Sequence, residues 1–291
     1  MKKITVLCIG LSLLFLGSNI ASAQDMADSA TVPPPKVLVI IREYLKPGRT
    51  GSIHQRSESG FVHAMTAAKW PTHYFAMDSL SGPSRSLFFV GYPSFEAWEK
   101  DNLATQKNAS LSAAIDRVSM TDGDLLSQYE SSTSVFREDM SLRAAVSIAQ
   151  MRYFEITQFV VRPGHEKDWQ ALVKIYVDGY GKAVPDAHWA TFERVYGAST
   201  TPAGGVFIVI NPMKSLAEVD SGFADSKKFE SSLSDSEKRK MAELTAACVD
   251  SVQTNLFAFD PKESYAPDEW IKADSFWKPK TAAAPATKPA Q

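Results

Sequence analysis

The amino-acid sequence predicts an α+β protein: two tandem β-α-β-β-α-β repeats whose antiparallel sheets pack together as one pseudo-dimeric barrel. Three observations predict it. Four short anchors occur twice in the same order, 115 to 123 positions apart. A strand-like run meets Pro-Gly and then a polar helix start at two places, EYLKPGRTGSI at 43–53 and FVVRPGHEKDW at 159–169. Each copy also alternates β-branched and aromatic runs with segments of helical spacing, in the order strand, helix, strand, strand, helix, strand.

The anchors are these. Lys46-Pro47-Gly48 matches Arg162-Pro163-Gly164, and Trp70-Pro71 before His73 matches Val184-Pro185 before His188. Gly91-Tyr92-Pro93-Ser94 matches Ile210-Asn211-Pro212-Met213, and 136–142 matches 259–265. Loop insertions produce such slowly drifting spacing. In the second copy, 152–161 is strand one, and Pro163-Gly164 breaks it. Trp169, Leu172, Val173, Tyr176 and Tyr180 then recur at helical spacing, with Glu166 and Asp168 in the first turn where the helix dipole favours acids. Strand two is 188–196, a hairpin loop is 197–205, and strand three is 206–211. Helix follows over 216–250, broken near 232–234, and 252–259 is strand four. In the first copy the strands are 37–45, 73–80, 86–92 and 128–137. Ile53, Phe61, Met65 and Ala68 mark its first helix, and Phe95, Trp98, Leu111, Ile115 and Val118 mark its second helical region.

With these residues the chain resembles the dimeric α/β-barrel (ferredoxin-like) superfamily, and is most similar to its tandem NIPSNAP-like and uncharacterised exported members. The resemblance covers roughly residues 36–265. It rests on element order and on the strand-Pro-Gly-helix element, not on a catalytic motif. It implies a fold in which two antiparallel sheets curl into one barrel with helices outside. Its members include cofactor-free monooxygenases, haem-dependent enzymes in which one histidine ligates iron, and proteins without assigned activity, so the fold does not fix the function.

The ends and the charge narrow the class. Lys2 and Lys3, an apolar run from Ile4 to Gly17 and Ala21-Ser22-Ala23 read as a secretory signal peptide over 1–23. The expected protein is exported, periplasmic or secreted, with no membrane span after cleavage. The domains expected are a disordered linker at 24–35, repeat one at 36–140, a linker at 141–151, repeat two at 152–265, and a C-terminal tail at 266–291, disordered from about 278. Without the leader, 29 basic face 33 acidic side chains, a net of −4 with no basic cluster, which argues against a nucleic-acid partner. Cleavage also removes Cys8 and leaves Cys248 alone. It lies on an apolar helix face and reads as a small buried residue rather than a reactive thiol. The assembly expected is a monomeric pseudo-dimer or a homodimer.

Candidate chemistry is sparse. His165-Glu166 does not continue as HExxH, no cysteine pair offers a structural zinc site, and no nucleophile elbow, phosphate loop or GxGxxG occurs. No metal and no cofactor are expected, haem entering only with the enzyme alternative. His73 and His188 occupy matching places at the start of strand two and read as structural caps of the helix-strand connection or, alternatively, one of them lines a cavity between sheet and helices as an acid/base or haem ligand. Strand one of the second copy carries Tyr153, Glu155, Thr157 and Phe159 on one face and Phe154, Ile156, Gln158 and Val160 on the other. Assigning the second set to the helices puts Glu155 in or near the barrel, either buried with a partner such as Arg194 or at a solvated barrel rim. The candidate pocket is therefore His73, His188, Trp189, Glu155 and Arg194. With no catalytic signature, the main expectation is a non-catalytic exported protein binding a small apolar ligand. The alternatives are a monooxygenase-like or haem-dependent enzyme, and a module that binds a protein partner.

Overall fold

The computed structural model describes residues 31–197 and 204–278. The expected signal peptide, most of the expected 24–35 linker, the centre of the 197–205 loop and the end of the expected tail lie outside those residues.

Eight antiparallel strands close into one barrel: β1 (Val37–Leu45), β2 (Tyr74–Ser79), β3 (Arg85–Tyr92), β4 (Leu126–Phe136), β5 (Tyr153–Val161), β6 (Ala190–Tyr196), β7 (Gly205–Met213) and β8 (Val249–Tyr265). Among the described residues there are seven α-helices: α1 (Ser52–Ala68), α2 (Phe95–Lys107), α3 (Ala109–Gly123), α4 (Glu166–Ala183), α5 (Ala217–Ser232), α6 (Asp235–Cys248) and the short α7 (Asp268–Ala273). Around the barrel the order is β1-β3-β2-β8-β5-β7-β6-β4. Each half of the chain runs β-α-β-β-α-α-β, so the second helical region expected in each half is two helices. Asn108 accepts from Leu111 N at the first break, and Ser234 with Glu237 forms a capping box at the second. The matched Pro-Gly turns have one backbone cause: Gly48 (φ 77°) and Gly164 (φ 83°) hold a left-handed conformation that a side chain disfavours.

The halves are sewn together by their last strands. β4 pairs with β6, and β8 pairs with both β5 and β2. The strand expected at 252–259 is longer, because β8 continues past Pro261 as far as Tyr265. It does so by bulging: Ala76 is paired with Asp260 but Tyr74 with Tyr265, so four residues of β8 oppose Phe75 alone. A bulge is where proline is tolerated in a sheet and where a side chain is re-aimed.

Alternation along the strands separates two buried faces. Leu38, Ile40, Phe89, Phe154, Ile208, Phe257 and Phe259 fill the barrel. Val37 and Val39 face α2, with Trp98, and Phe159 and Val161 face α4 and α6, with Trp169, Leu172, Leu244 and Cys248. This reverses the expectation for β5: Phe154 and Ile156 point into the barrel, while Glu155 shares the helix-side face with Phe159. Both faces of the strand are largely covered, so hydrophobicity did not distinguish them.

One end of the barrel interior is closed by 144–151 and by α7 with the turn Ser275–Trp277, whose Trp270, Phe276 and Trp277 join the core cluster. Residues 266–277 are thus part of the core rather than a tail. Cys248 is 0 % exposed, and burial raises its thiol pKa. Iodoacetamide is therefore expected to leave the native protein unlabelled and to label it only in denaturant; rapid native labelling would contradict the packing of α6. No helix among the described residues is long and apolar enough to cross a membrane.

Candidate functional site

The first half of the chain has a cavity of about 520 Å³ between the outer face of β1-β3-β2 and helices α1, α2 and α3. Ile41, Phe61, Trp70, Phe88 and Leu126 supply apolar wall. The corresponding space in the second half is filled. There Trp169 sits 5.0 Å, centroid to centroid, from both Phe159 and Phe207, over Leu172, Leu244 and Cys248. The second half keeps a smaller cavity, of about 360 Å³, among its helices, where Ile175, Gly179, Leu233 and Leu244 line it.

The cavity has two polar ends, of different kinds. At one, Asp101 of α2 accepts from Trp70 Nε1 (3.0 Å), Thr72 Oγ1 (2.6 Å) and Tyr92 OH (2.9 Å). That carboxylate is satisfied and pins α2 to the sheet. At the other, Glu43, Glu58 and Asp122 reach the cavity wall beside His54, and all four residues are buried.

Local structure explains how they meet. On β1, Val37, Val39, Ile41 and Glu43 share the helix-side face, so the apolar stripe ends in a carboxylate. On α1, His54, Glu58, Phe61 and Met65 recur at helical spacing and make the inward face. The expected stripe began instead at Ile53, which is exposed at 41 %. Gly60 lets α3 approach, since a Cβ there would lie 3.0 Å from the Val118 methyls. That contact brings Asp122, in the last turn of α3, beside Glu58. Glu263 arrives from the bulge of β8.

His54 is the hub. Its Nε2 lies 3.2 Å from Glu43 Oε2, 3.8 Å from Glu58 Oε1 and 3.9 Å from Asp122 Oδ1. Its Nδ1 lies 3.1 Å from Glu263 Oε1 and 3.4 Å from Ser86 Oγ, and Ser86 donates to Asp78. Burial opposes the imidazolium, but hydrogen bonds to Glu263 and Glu43 override it and hold His54 up at about 11. Burial raises Glu43 and, well above the usual range, Glu58; it takes Glu263 to about 8. Three oxygens in this cluster, Glu58 Oε1, Asp122 Oδ1 and Glu263 Oε2, are buried with no hydrogen-bond partner. Native proteins leave few such atoms.

The residues singled out in the sequence lie elsewhere, and none lines this cavity. His73 Nδ1 meets Tyr265 O at 3.2 Å and its ring stacks on Tyr265. His188 bridges Asp186 O and Pro212 O, both at 2.9 Å. Trp189 Nε1 donates to Met140 O at 3.0 Å. Arg194 donates to Gln158 Oε1 at 2.6 Å, not to Glu155, which is half-buried on the other face with its carboxyl raised by burial. Both histidines act as strand fasteners. The expectation of no metal followed from the lack of a spacing motif, yet the ligand atoms of Glu43, His54, Glu58 and Asp122 all lie within 4.8 Å of one another. A carboxylate at the end of an apolar strand stripe, and His and Glu four apart on one helix face, were the available signals.

The fold is that of the dimeric α/β barrels. No family model and no curated protein matches the chain. A solved anthrone oxidase-like protein is 13 % identical with a TM-score of 0.50, over 77 % of this chain and 92 % of that one. A provisionally named monooxygenase from Fusobacterium nucleatum is 10 % identical with a TM-score of 0.48, over 78 % and 94 %. A chlorite dismutase from Candidatus Nitrospira defluvii is 12 % identical with a TM-score of 0.40, over 84 % and 96 %. The expectation of a non-catalytic binding protein is corrected on two grounds. The solved protein of the same fold at a TM-score of 0.50 carries the name of an oxidase-like enzyme, and the cavity here ends on unsatisfied buried charge that an apolar carrier does not need.

Haem, which the superfamily resemblance implies for some members, does not fit this cavity. No lysine or arginine is among its lining residues to meet the propionates. The one histidine beside it has carboxylates against both ring nitrogens.

Proposed function

We propose that the protein is an enzyme of the oxidase or monooxygenase type that acts on a flat, largely apolar substrate in the first-half cavity. The observation that carries this is the junction of an apolar cavity of about 520 Å³ with the buried Glu43–His54–Glu58–Asp122 cluster. Reactive-site pockets combine apolar walls with a few convergent polar groups in this way. The aromatic walls orient the rings and exclude water. The cluster presents fixed charge to a substrate oxygen at the inner end, where low dielectric strengthens it. The name of the anthrone oxidase-like neighbour suggests a tricyclic phenol or ketone as the substrate class. The reading includes export, and a chain made of two duplicated ferredoxin-like repeats, of the tandem NIPSNAP-like kind, that closes its own barrel as a monomeric pseudo-dimer.

The test is oxygen uptake by the mature protein with anthrone. In the expected reaction its methylene becomes a carbonyl, one oxygen atom entering the product and the other leaving as water. Glu43→Gln is expected to lower the rate about 100-fold, the scale for losing one preorganised polar group. His188→Gln is expected to stay within about twofold, as for a substitution away from the site. The reverse pattern, or no uptake with anthrone or its hydroxylated relatives, would move the function away from this cavity.

A further inference from the structure

We propose that Glu43, His54, Glu58 and Asp122 form a binding site for one divalent first-row transition cation of the manganese, iron or zinc kind, with Glu263 holding the imidazole in place. This deepens the enzyme reading by naming what the cluster binds, and its test is separate from activity.

Geometry comes first. Cations of this kind hold nitrogen and oxygen ligands at about 2.0–2.2 Å, which sets neighbouring ligand atoms about 3.0–3.6 Å apart and opposite ones about 4.2 Å apart. Of the separations from His54 Nε2, 3.2 Å matches the neighbouring spacing, and 3.8 and 3.9 Å lie just beyond it. All four ligand atoms lie within 4.8 Å of one another, so a small contraction brings them to that spacing.

The second observation is independent of the acidic count. Glu58 and Asp122 are 3 % and 2 % exposed, and each aims one oxygen without a hydrogen-bond partner at the cluster. Buried charge of one sign at this density is costly unless a cation compensates it.

The third is the far side of the ring. A metal-bound histidine almost always gives its other N–H to a carboxylate or carbonyl. Here Nδ1 faces Glu263 Oε1 at 3.1 Å, so when a cation displaces the Nε2 proton now shared with Glu43 Oε2, Glu263 holds the remaining N–H from behind. Glu263 is 0 % exposed and reaches this place only through the β8 bulge. The ligand chemistry, three carboxylates and one imidazole without sulfur, suits manganese, iron and zinc and disfavours copper(I). The adjacent cavity leaves room for a further ligand beside the cation, as an open site needs.

The experiment is metal analysis of the full mature chain, followed by titration of the chelator-stripped protein with Mn²⁺, Fe²⁺ under anaerobic conditions, and Zn²⁺. One equivalent per chain and a rise in Tm with at least one of these ions are expected. Asp122→Asn should lower affinity at least tenfold, and Glu263→Gln should lower it about 10- to 100-fold while keeping the stoichiometry at one. If a variant fails to fold, the wild-type titration decides alone. No binding of any of the three ions at millimolar concentration, with a Tm unmoved by ion or chelator, overturns the site. One bound ion with no oxidation of any substrate would instead overturn the proposed reaction and leave the site standing.

Discussion

Glu58→Gln is expected to abolish cation binding and oxygen uptake, and at the same time to make the metal-free protein harder to unfold. The side chain is 3 % exposed and its carboxyl is held well above the usual range, by burial first and then by Glu43 and Asp122. Its nearest cationic atom, His54 Nε2, is 3.8 Å away and already closer to Glu43. Glutamine keeps the shape, removes the like-charge repulsion and has N–H groups to offer the orphaned Asp122 Oδ1. A gain of about 1–3 kcal/mol is expected, on the scale seen when poorly compensated buried charge is replaced. Urea unfolding of the chelator-stripped variant gives the measurement, as a higher midpoint at unchanged slope. A variant less stable than the parent would mean that the cluster is a structural ion network in which Glu58 is a paired member.

Trp277→Ala is expected to be among the most destabilising single substitutions. The side chain is 1 % exposed, packs on Phe259, Trp270 and Phe276, and donates from Nε1 to Ala149 O at 2.7 Å. Its loss leaves a cavity at the end of the barrel and removes the shorter of two hydrogen bonds to Ala149 O, which keeps only Arg152 Nη1 at 3.3 Å. Truncations of this size cost about 3–5 kcal/mol. The segment is anchored a second time by Arg152, which pairs with Asp274 and lies 4.2 Å over the Phe276 ring. A loss below about 1 kcal/mol in urea unfolding would show that the segment docks without closing the core.

What the sequence made legible was local. The strand-Pro-Gly-helix turn needs one left-handed residue, so Gly48 and Gly164 marked it. The break near 232–234 was legible too, and there Ser234 caps the next helix, its side chain meeting a backbone N–H three residues on. What was illegible was anything set by two surfaces at once. Tyr153 to Val161 carries apolar residues on both faces because both are covered, and the face assignment failed there. The site was illegible for a related reason. His54 and Glu263 are 209 positions apart, and they meet because β8 bulges at Pro261, so no spacing rule describes them. The paired His73 and His188 drew notice because the pattern recurs. A feature present in both halves tends to serve what both halves share, which is folding. The chemistry lies where the halves differ.

That difference follows from having both halves in one polypeptide. A barrel made from two identical subunits must carry the same residues in both cavities, so a change that reshapes one reshapes the other. A single chain is released from that symmetry. Here one compartment can be packed solid with Trp169 and Phe207 and serve as a rigid keel, while the other holds strained charge. The division of labour has a cost in independence. The strand that braces His54 is the last one of the opposite half, so residues 31–140 made alone would have the hollow without its brace. The first half depends on the second for a residue as well as for support.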